Sequence, residues 1–305
     1  MKSFEFTSFD PDQTPVKDFH ALLLGAVAPR PIAFVSTTDA DGNVNLAPFS
    51  FFNVFGSKPP LLIFSPANRV RDNTGKHTLE NVREVPEAVV SLVSYEMAEQ
   101  MSMAGAEYDK GVNEYIKAGF TQVASEKVKP PRVGEAPVSF ECKVFEIKTV
   151  GHGGGSANLV LCEVLMAHFH SELVNENAKL NLPAFDLVGR MGGDYYVRAS
   201  GEALFVLPKT PLQKGMGFDA LPEPVLNSSV LTGRHLARLA NQERLPDSTK
   251  ISQIAELPEI AALLIEYNND LHALRNNLQQ IASKKLDEGM PDDAWAILLQ
   301  DPGLY

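Results

Sequence analysis

The sequence has little cysteine, a deficit of basic side chains and no long apolar run, and each absence removes a class of protein. Its two cysteines, Cys142 and Cys162, lie in separate β-like runs without CxxC spacing. That excludes a disulfide framework and a cysteine-rich zinc module, and the pair reads as reduced structural thiols. No stretch approaches the roughly 18 apolar residues of a membrane span. The N-terminal MKSFEFTSFDPDQ lacks the basic and apolar regions of a secretory signal, so a cytoplasmic protein is expected. Basic residues number 27 against 38 acidic ones, a net charge of −11, which discourages nucleic acid and anionic lipid as partners. His152, His168 and His170 have no cysteine or carboxylate at recognisable spacing, so no metal site is expected. His168 and His170 read as polar positions on an exposed sheet face.

What is present is mainly β up to about residue 207. Residues 1–20 read as an irregular arm interrupted by Pro11 and Pro15, and Ala21–Val27 fits a helical turn or a strand. Ile32–Thr37, the turn Ala40-Asp41-Gly42-Asn43 and a return strand Val44–Val54 form a hairpin. Leu61–Phe64 and Glu87–Val93 are further strands. Thr74–Val82 reads as a glycine-opened turn entering a short helix, with Leu79 and Val82 toward the core. Met97, Met101 and Ala104 recur at helical spacing, and Asn113–Phe120 is another short helix. Val138–Val150 and Leu159–Phe169 make a hairpin across Gly151–Ser156, whose glycines match neither the P-loop nor the dinucleotide fingerprint. Residues 208–305 read as a helical extension. There Ile260, Leu264, Tyr267, Leu271, Leu274, Leu278 and Ile281 form a heptad seam, expected on one helix of roughly 35 Å that buries its stripe on the barrel or on a partner subunit.

The chemistry concentrates between Arg30 and Asn81, as a small β-barrel built around one bound anion. On an acidic chain, residues 61–83 hold Arg69, Arg71, Lys76 and Arg83 against Asp72 and Glu80. Ser50, Ser65 and Thr78 add hydroxyls, and a helix opening at Lys76–Thr78 would aim free N–H groups at the same space. Those groups together suit a terminal phosphate monoester. Pro48-Phe49-Ser50-Phe51-Phe52-Asn53 alternates and then clusters aromatics, as a strand lining a planar ring would.

This order of residues resembles the flavin reductase-like family with an FMN-binding split β-barrel. The pattern is Arg30-Pro31, then Val35-Ser36-Thr37, then Gly42-x-x-Asn45-x-Ala47-Pro48-x-Ser50-x-Phe52. Pro59-Pro60 follows before a strand ending in Ser65, then Lys76-x-Thr78-x-x-Asn81. Leu159–Val164 is similar to the barrel-closing strand and Arg190–Tyr196 to the terminal glycine-aromatic segment, so the resemblance spans roughly residues 20–200. It implies a mainly β split barrel over residues 1–207 with peripheral helices, followed by the helical extension 208–305. It implies a homodimer binding FMN, with Ser65, Lys76, Thr78 and Arg69 or Arg71 on the phosphate. Pro48, Ser50, Phe51, Phe52 and Asn53 would lie along the ribityl chain and ring. NAD(P)H would pass hydride to flavin N5, and the reduced flavin would serve a monooxygenase or another acceptor. The chain departs from the pattern at His77, where the family commonly has Asp. It departs again at Asn158 and Cys162, near the family's usual histidine and glycine. An FMN electron carrier and a non-catalytic split-barrel binding module are the alternative readings.

Overall fold

A computed structural model of the chain describes residues 5–69, 71–207 and 214–304. It divides into two compact units, Met1–Phe205 and Val206–Tyr305; the domain boundary expected after residue 207 abuts residues 208–213, which lie outside the described residues.

The first unit contains strands β1 (Arg30–Pro31), β2 (Ala33–Thr38), β3 (Val44–Phe49), β4 (Phe52–Ser57), β5 (Pro60–Phe64) and β6 (Glu87–Ser91). It continues with β7 (Gln122–Val123), β8 (Arg132–Val133), β9 (Val138–Val150), β10 (Ala157–Phe169), β11 (Leu187–Arg190) and β12 (Tyr196–Ala199). Among the described residues, helices α1 (Val16–Ala26), α2 (His77–Glu84), α3 (Ala98–Ala104) and α4 (Glu114–Ala118) accompany them. A seven-stranded antiparallel sheet runs β3-β2-β6-β9-β10-β5-β4. Its outermost strands, β3 and β4, are consecutive in sequence and separated only by Ser50 and Phe51. Three Cα steps reach at most about 11 Å, so the two edges must come together at this corner and the sheet curls into a barrel with one open seam. The expected single strand Val44–Val54 is therefore two strands on opposite edges. The Ser65 N–H reaches the Phe51 carbonyl at 2.9 Å and fixes the corner to the end of β5.

Barrel closure explains the unbroken burial of β2, which is covered on both faces. Val35 packs with Leu79 and Val82 of α2, while Phe34 packs with Met97 and Met101 around α3. Fully buried strands read as continuous apolar runs, which is how Ile32–Val35 reads. The arm expected over residues 1–20 is helical from Val16 onward, because Pro15 sits at the helix entrance, where its missing N–H costs nothing. Arg30 holds this helix. It is buried and donates to the carbonyls of Leu24 (2.6 Å), Val27 and Met191 (2.9 Å). In the β9–β10 hairpin both cysteines are free and buried; burial raises the Cys142 thiol well above its ordinary value and pushes Cys162 up to about 12. His168 is not a solvent-facing position: its Nε2 lies 2.6 Å from the carboxylate of the buried Glu141.

The second unit is helical: α5 (Glu223–Leu226), α6 (Gly233–Ala240), α7 (Ser248–Ala255), α8 (Pro258–Glu266), α9 (Leu271–Asp287) and α10 (Pro291–Leu298). The single helix expected along the heptad seam is two helices, α8 and α9. The break falls at Asn268-Asn269-Asp270, where the Asp270 side chain accepts from the Ala273 N–H and caps the second helix. Ile260, Leu274 and Leu278 are buried within this unit's own core around Trp295, while Leu271 is 48% exposed. The Trp295 indole donates to the Leu239 carbonyl at 3.1 Å. Among the described residues, no helix is long and apolar enough to cross a membrane, and no cluster of three or more His, Cys, Asp or Glu suits a metal.

Candidate functional site

The expected anion-binding residues converge in part. A cleft of about 80 Å³ is lined by Asn45, Pro48, Arg69, Lys76, Thr78 and Glu107, among others. Strand β3 supplies Asn45 and Pro48, the loop after β5 supplies Arg69, and the entrance of α2 supplies Lys76 and Thr78. Helix α2 forms there because Lys76, in extended conformation, turns the chain into an amphipathic stretch whose Leu79 and Val82 enter the barrel core.

Lys76 is the distinctive charge. Burial lowers its ammonium pKa from the ordinary value, Arg69 pushes the same way, and Glu107 opposes them in part. Among the described residues it has no carboxylate within ion-pair distance; its Nζ sits 5.7 Å from the centre of the Phe49 ring. Beside it, the N–H groups of His77 and Thr78 have no protein acceptor among the described residues, as expected at a helix start. The buried Thr78 hydroxyl accepts the Asn45 side-chain amide at 2.9 Å. A hydroxyl that accepts in this way keeps its own hydrogen to donate elsewhere.

Arg69 is anchored by Nη1 to Thr74 Oγ1 (3.1 Å) and to the Gly75 carbonyl (2.5 Å). Glu107 bridges two arginines, with Oε1 3.2 Å from Arg69 Nε and Oε2 2.9 Å from Arg71 Nη1. Those arginines hold its carboxyl below the usual range. Glu114, also lining the cleft, accepts the Leu46 N–H at 3.0 Å, and burial raises its pKa.

Of the other expected residues, Ser65, Arg71, Ser50, Phe51, Phe52 and Asn53 lie outside this cleft lining. Ser65 is 7% exposed, and its hydroxyl is buried without a partner among the described residues. Arg71 is largely exposed and meets the cleft-lining Glu107 at 2.9 Å. Ser50 lies at the barrel corner, 3.4 Å from Arg30 Nε. Phe51, also at the corner, is 41% exposed and meets His20 edge-on at 6.3 Å. Phe52 packs partly into the barrel core opposite Phe64, and Asn53 is exposed, its side chain accepting from the Val54 N–H. Pro48, expected beside the ring, shares the cleft with Lys76. Asn158 is buried and committed: its amide donates to the Pro66 carbonyl and to Asn68, and its oxygen accepts from Thr149. Sequence spacing does not single out Glu107 and Glu114, because neither is near Lys76 along the chain. Asn45 stood in the recognised pattern but carried no assigned role.

Comparison with known proteins agrees with the barrel. The family model described as a flavin reductase like domain matches residues 25–185. A protein of Aquifex aeolicus (strain VF5) is 43% identical over 190 residues, 62% of this chain and 94% of its own. Among solved structures, nitrilotriacetate monooxygenase component B from Bacillus cereus superposes with a TM-score of 0.63 at 27% identity, over 67% of this chain and 100% of that one. The 2-nitrobenzoate 2-nitroreductase NbaA of Pseudomonas fluorescens gives 0.59 at 29% identity, over 67% and 97%. On the strength of the family match and of the split barrel it covers, the chain belongs to the flavin reductase-like family.

Proposed function

We propose that this chain is a flavin reductase-type oxidoreductase that binds FMN and uses it to accept hydride from NAD(P)H at flavin N5. The observation that carries the reading is Lys76, a partly buried ammonium with no carboxylate in ion-pair distance among the described residues, beside the free N–H groups that open α2. A helix start with a nearby cation is suited to a phosphate monoester. The orphaned Ser65 hydroxyl is a second feature that fits, since a buried polar group without a partner is costly.

In this reading Lys76, Arg69, the N–H groups of His77 and Thr78, and the Thr78 hydroxyl hold the phosphate. Ser65 and Arg71 assist from outside the cleft. Pro48, Ser50, Phe51, Phe52 and Asn53 lie along the ribityl chain and ring, with the exposed Phe51 at the barrel corner offering an aromatic face. The protein binds and orients, while the cofactor carries the redox chemistry. A second copy of the chain is the partner proposed for the edge strand β4, where Val54 and Phe55 are 64% and 63% exposed. The acceptor of the reduced flavin is a monooxygenase or another oxidant, the two classes suggested by the named structural relatives.

One observation favours a second reading, an FMN electron carrier without direct NAD(P)H oxidation. Asn158 stands near where the family usually has a histidine, and its side chain is consumed by the loop at Pro66 and Asn68. Anaerobic mixing of the flavin-loaded protein with NADH and with NADPH separates the two. Bleaching of the flavin absorbance by either supports the reductase. No bleaching by either, with flavin bound, supports the carrier. A protein that binds no flavin is a non-catalytic split-barrel module, contrary to both readings.

A further inference from the structure

Glu107 has no part in the proposed function, yet it occupies the arginines assigned to the phosphate. We propose that Glu107 is a displaceable carboxylate that competes with the ligand's phosphate for Arg69 and Arg71, and so sets how strongly the site prefers phosphorylated flavin over unphosphorylated flavin. The inference rests on the phosphate reading of the cleft.

Three observations support it. The carboxylate is divided between two guanidiniums, one oxygen on Arg69 Nε and the other on Arg71 Nη1. A phosphate, with three acceptor oxygens, bridges the same donors equally well. Next, the Glu107 side chain is 51% exposed and lies between the end of α3 and the start of α4. It can swing outward without moving a helix or strand. Last, Arg69 is secured from below by Thr74 and the Gly75 carbonyl, so it keeps its position when Glu107 leaves. The Arg71 pair, exposed on both sides, contributes little, and the Arg69 pair is half-open to water through Glu107. A phosphate monoester carries nearly twice the charge of a carboxylate at neutral pH, and it also gains Lys76 and the α2 N–H groups, which Glu107 does not contact.

Phosphate binding therefore carries a cost: the Glu107 pairs must open first. Unphosphorylated riboflavin does not disturb them. The test is a flavin-fluorescence titration of the full chain with FMN and with riboflavin, for wild type, Glu107→Gln, Glu107→Asp and Lys76→Ala. Glu107→Gln is expected to tighten FMN by about 3- to 10-fold, the scale of ion pairs made by a half-exposed carboxylate, with riboflavin unchanged. Glu107→Asp, which keeps the charge, should stay near wild type. If Glu107→Gln leaves the FMN-to-riboflavin ratio unchanged while Lys76→Ala weakens FMN, the competition is refuted and the phosphate site stands. If neither substitution alters FMN affinity, the phosphate reading fails and the competition with it.

Discussion

Asn45 on β3 and Thr78 in the first turn of α2 are joined side chain to side chain at 2.9 Å, both buried at the edge of the cleft. One turn further along, Asn81 donates to the Thr37 hydroxyl of β2 at 3.1 Å. The two bonds fix the helix entrance, and with it Lys76, against the barrel wall. Thr78→Val keeps the shape but leaves the Asn45 amide unpaired, which should cost about 1–3 kcal/mol. Urea unfolding measures that loss. Phosphate binding should weaken as well, because the hydroxyl that Asn45 orients is gone.

A second prediction concerns the docking of α1. A Cβ at Gly192 would lie 2.8 Å from the Gly25 Cα, a backbone atom that cannot move aside alone. Gly192→Ala should therefore push α1 away from the turn that Arg30 grips through Met191, at a cost of about 1–3 kcal/mol. Faster proteolysis within residues 16–26, relative to wild type, is the local readout.

Acid stability should depend on Glu141. Burial alone would raise its pKa. The N–H groups of Glu126 and Lys127, together with the His168 ring, outweigh burial and hold it below the ordinary 4.5. A carboxyl depressed in the folded state contributes stability above its unfolded pKa, and that contribution is lost as pH falls through the folded value. Stability should thus decline below about pH 4.5, and Glu141→Gln should flatten this part of the profile while lowering stability at neutral pH. Thermal midpoints measured from pH 7 to pH 3 check both statements.

Binding at the cleft should also weaken in alkali. The Lys76 ammonium is lowered from 10.5 by burial and by Arg69, so the free protein loses this charge before an exposed lysine would. FMN affinity should fall at a pH below 10.5, and the riboflavin affinity should not follow it. Isothermal titration across the alkaline range measures the difference.

Much of this architecture was readable locally. Lys76 and Thr78 at a helix entrance, Leu79 and Val82 facing the core, and the long hairpin ending at Phe169 all follow from patterns within a few residues. The break at Ser50 was not readable. Both flanking segments have strand character, and only closure of the sheet assigns them to opposite edges. The break between α8 and α9 was masked by apolar spacing that continues through Tyr267, although Asn268-Asn269-Asp270 is a capping signal. Glu107 carries no local mark at all, since its role depends on arginines more than 30 residues away that fold against it. His168 misled in the same way: its partner, Glu141, stands on the neighbouring strand β9.

If Lys76 meets a flavin phosphate, the affinity of Lys76→Ala for FMN beside riboflavin reports it most directly. Loss of a charged hydrogen bond of about 1.5–3 kcal/mol predicts FMN binding weakened by roughly 10- to 150-fold, with riboflavin affinity unchanged. Equal FMN affinity in the variant and the wild type would show that Lys76 does not hold the phosphate.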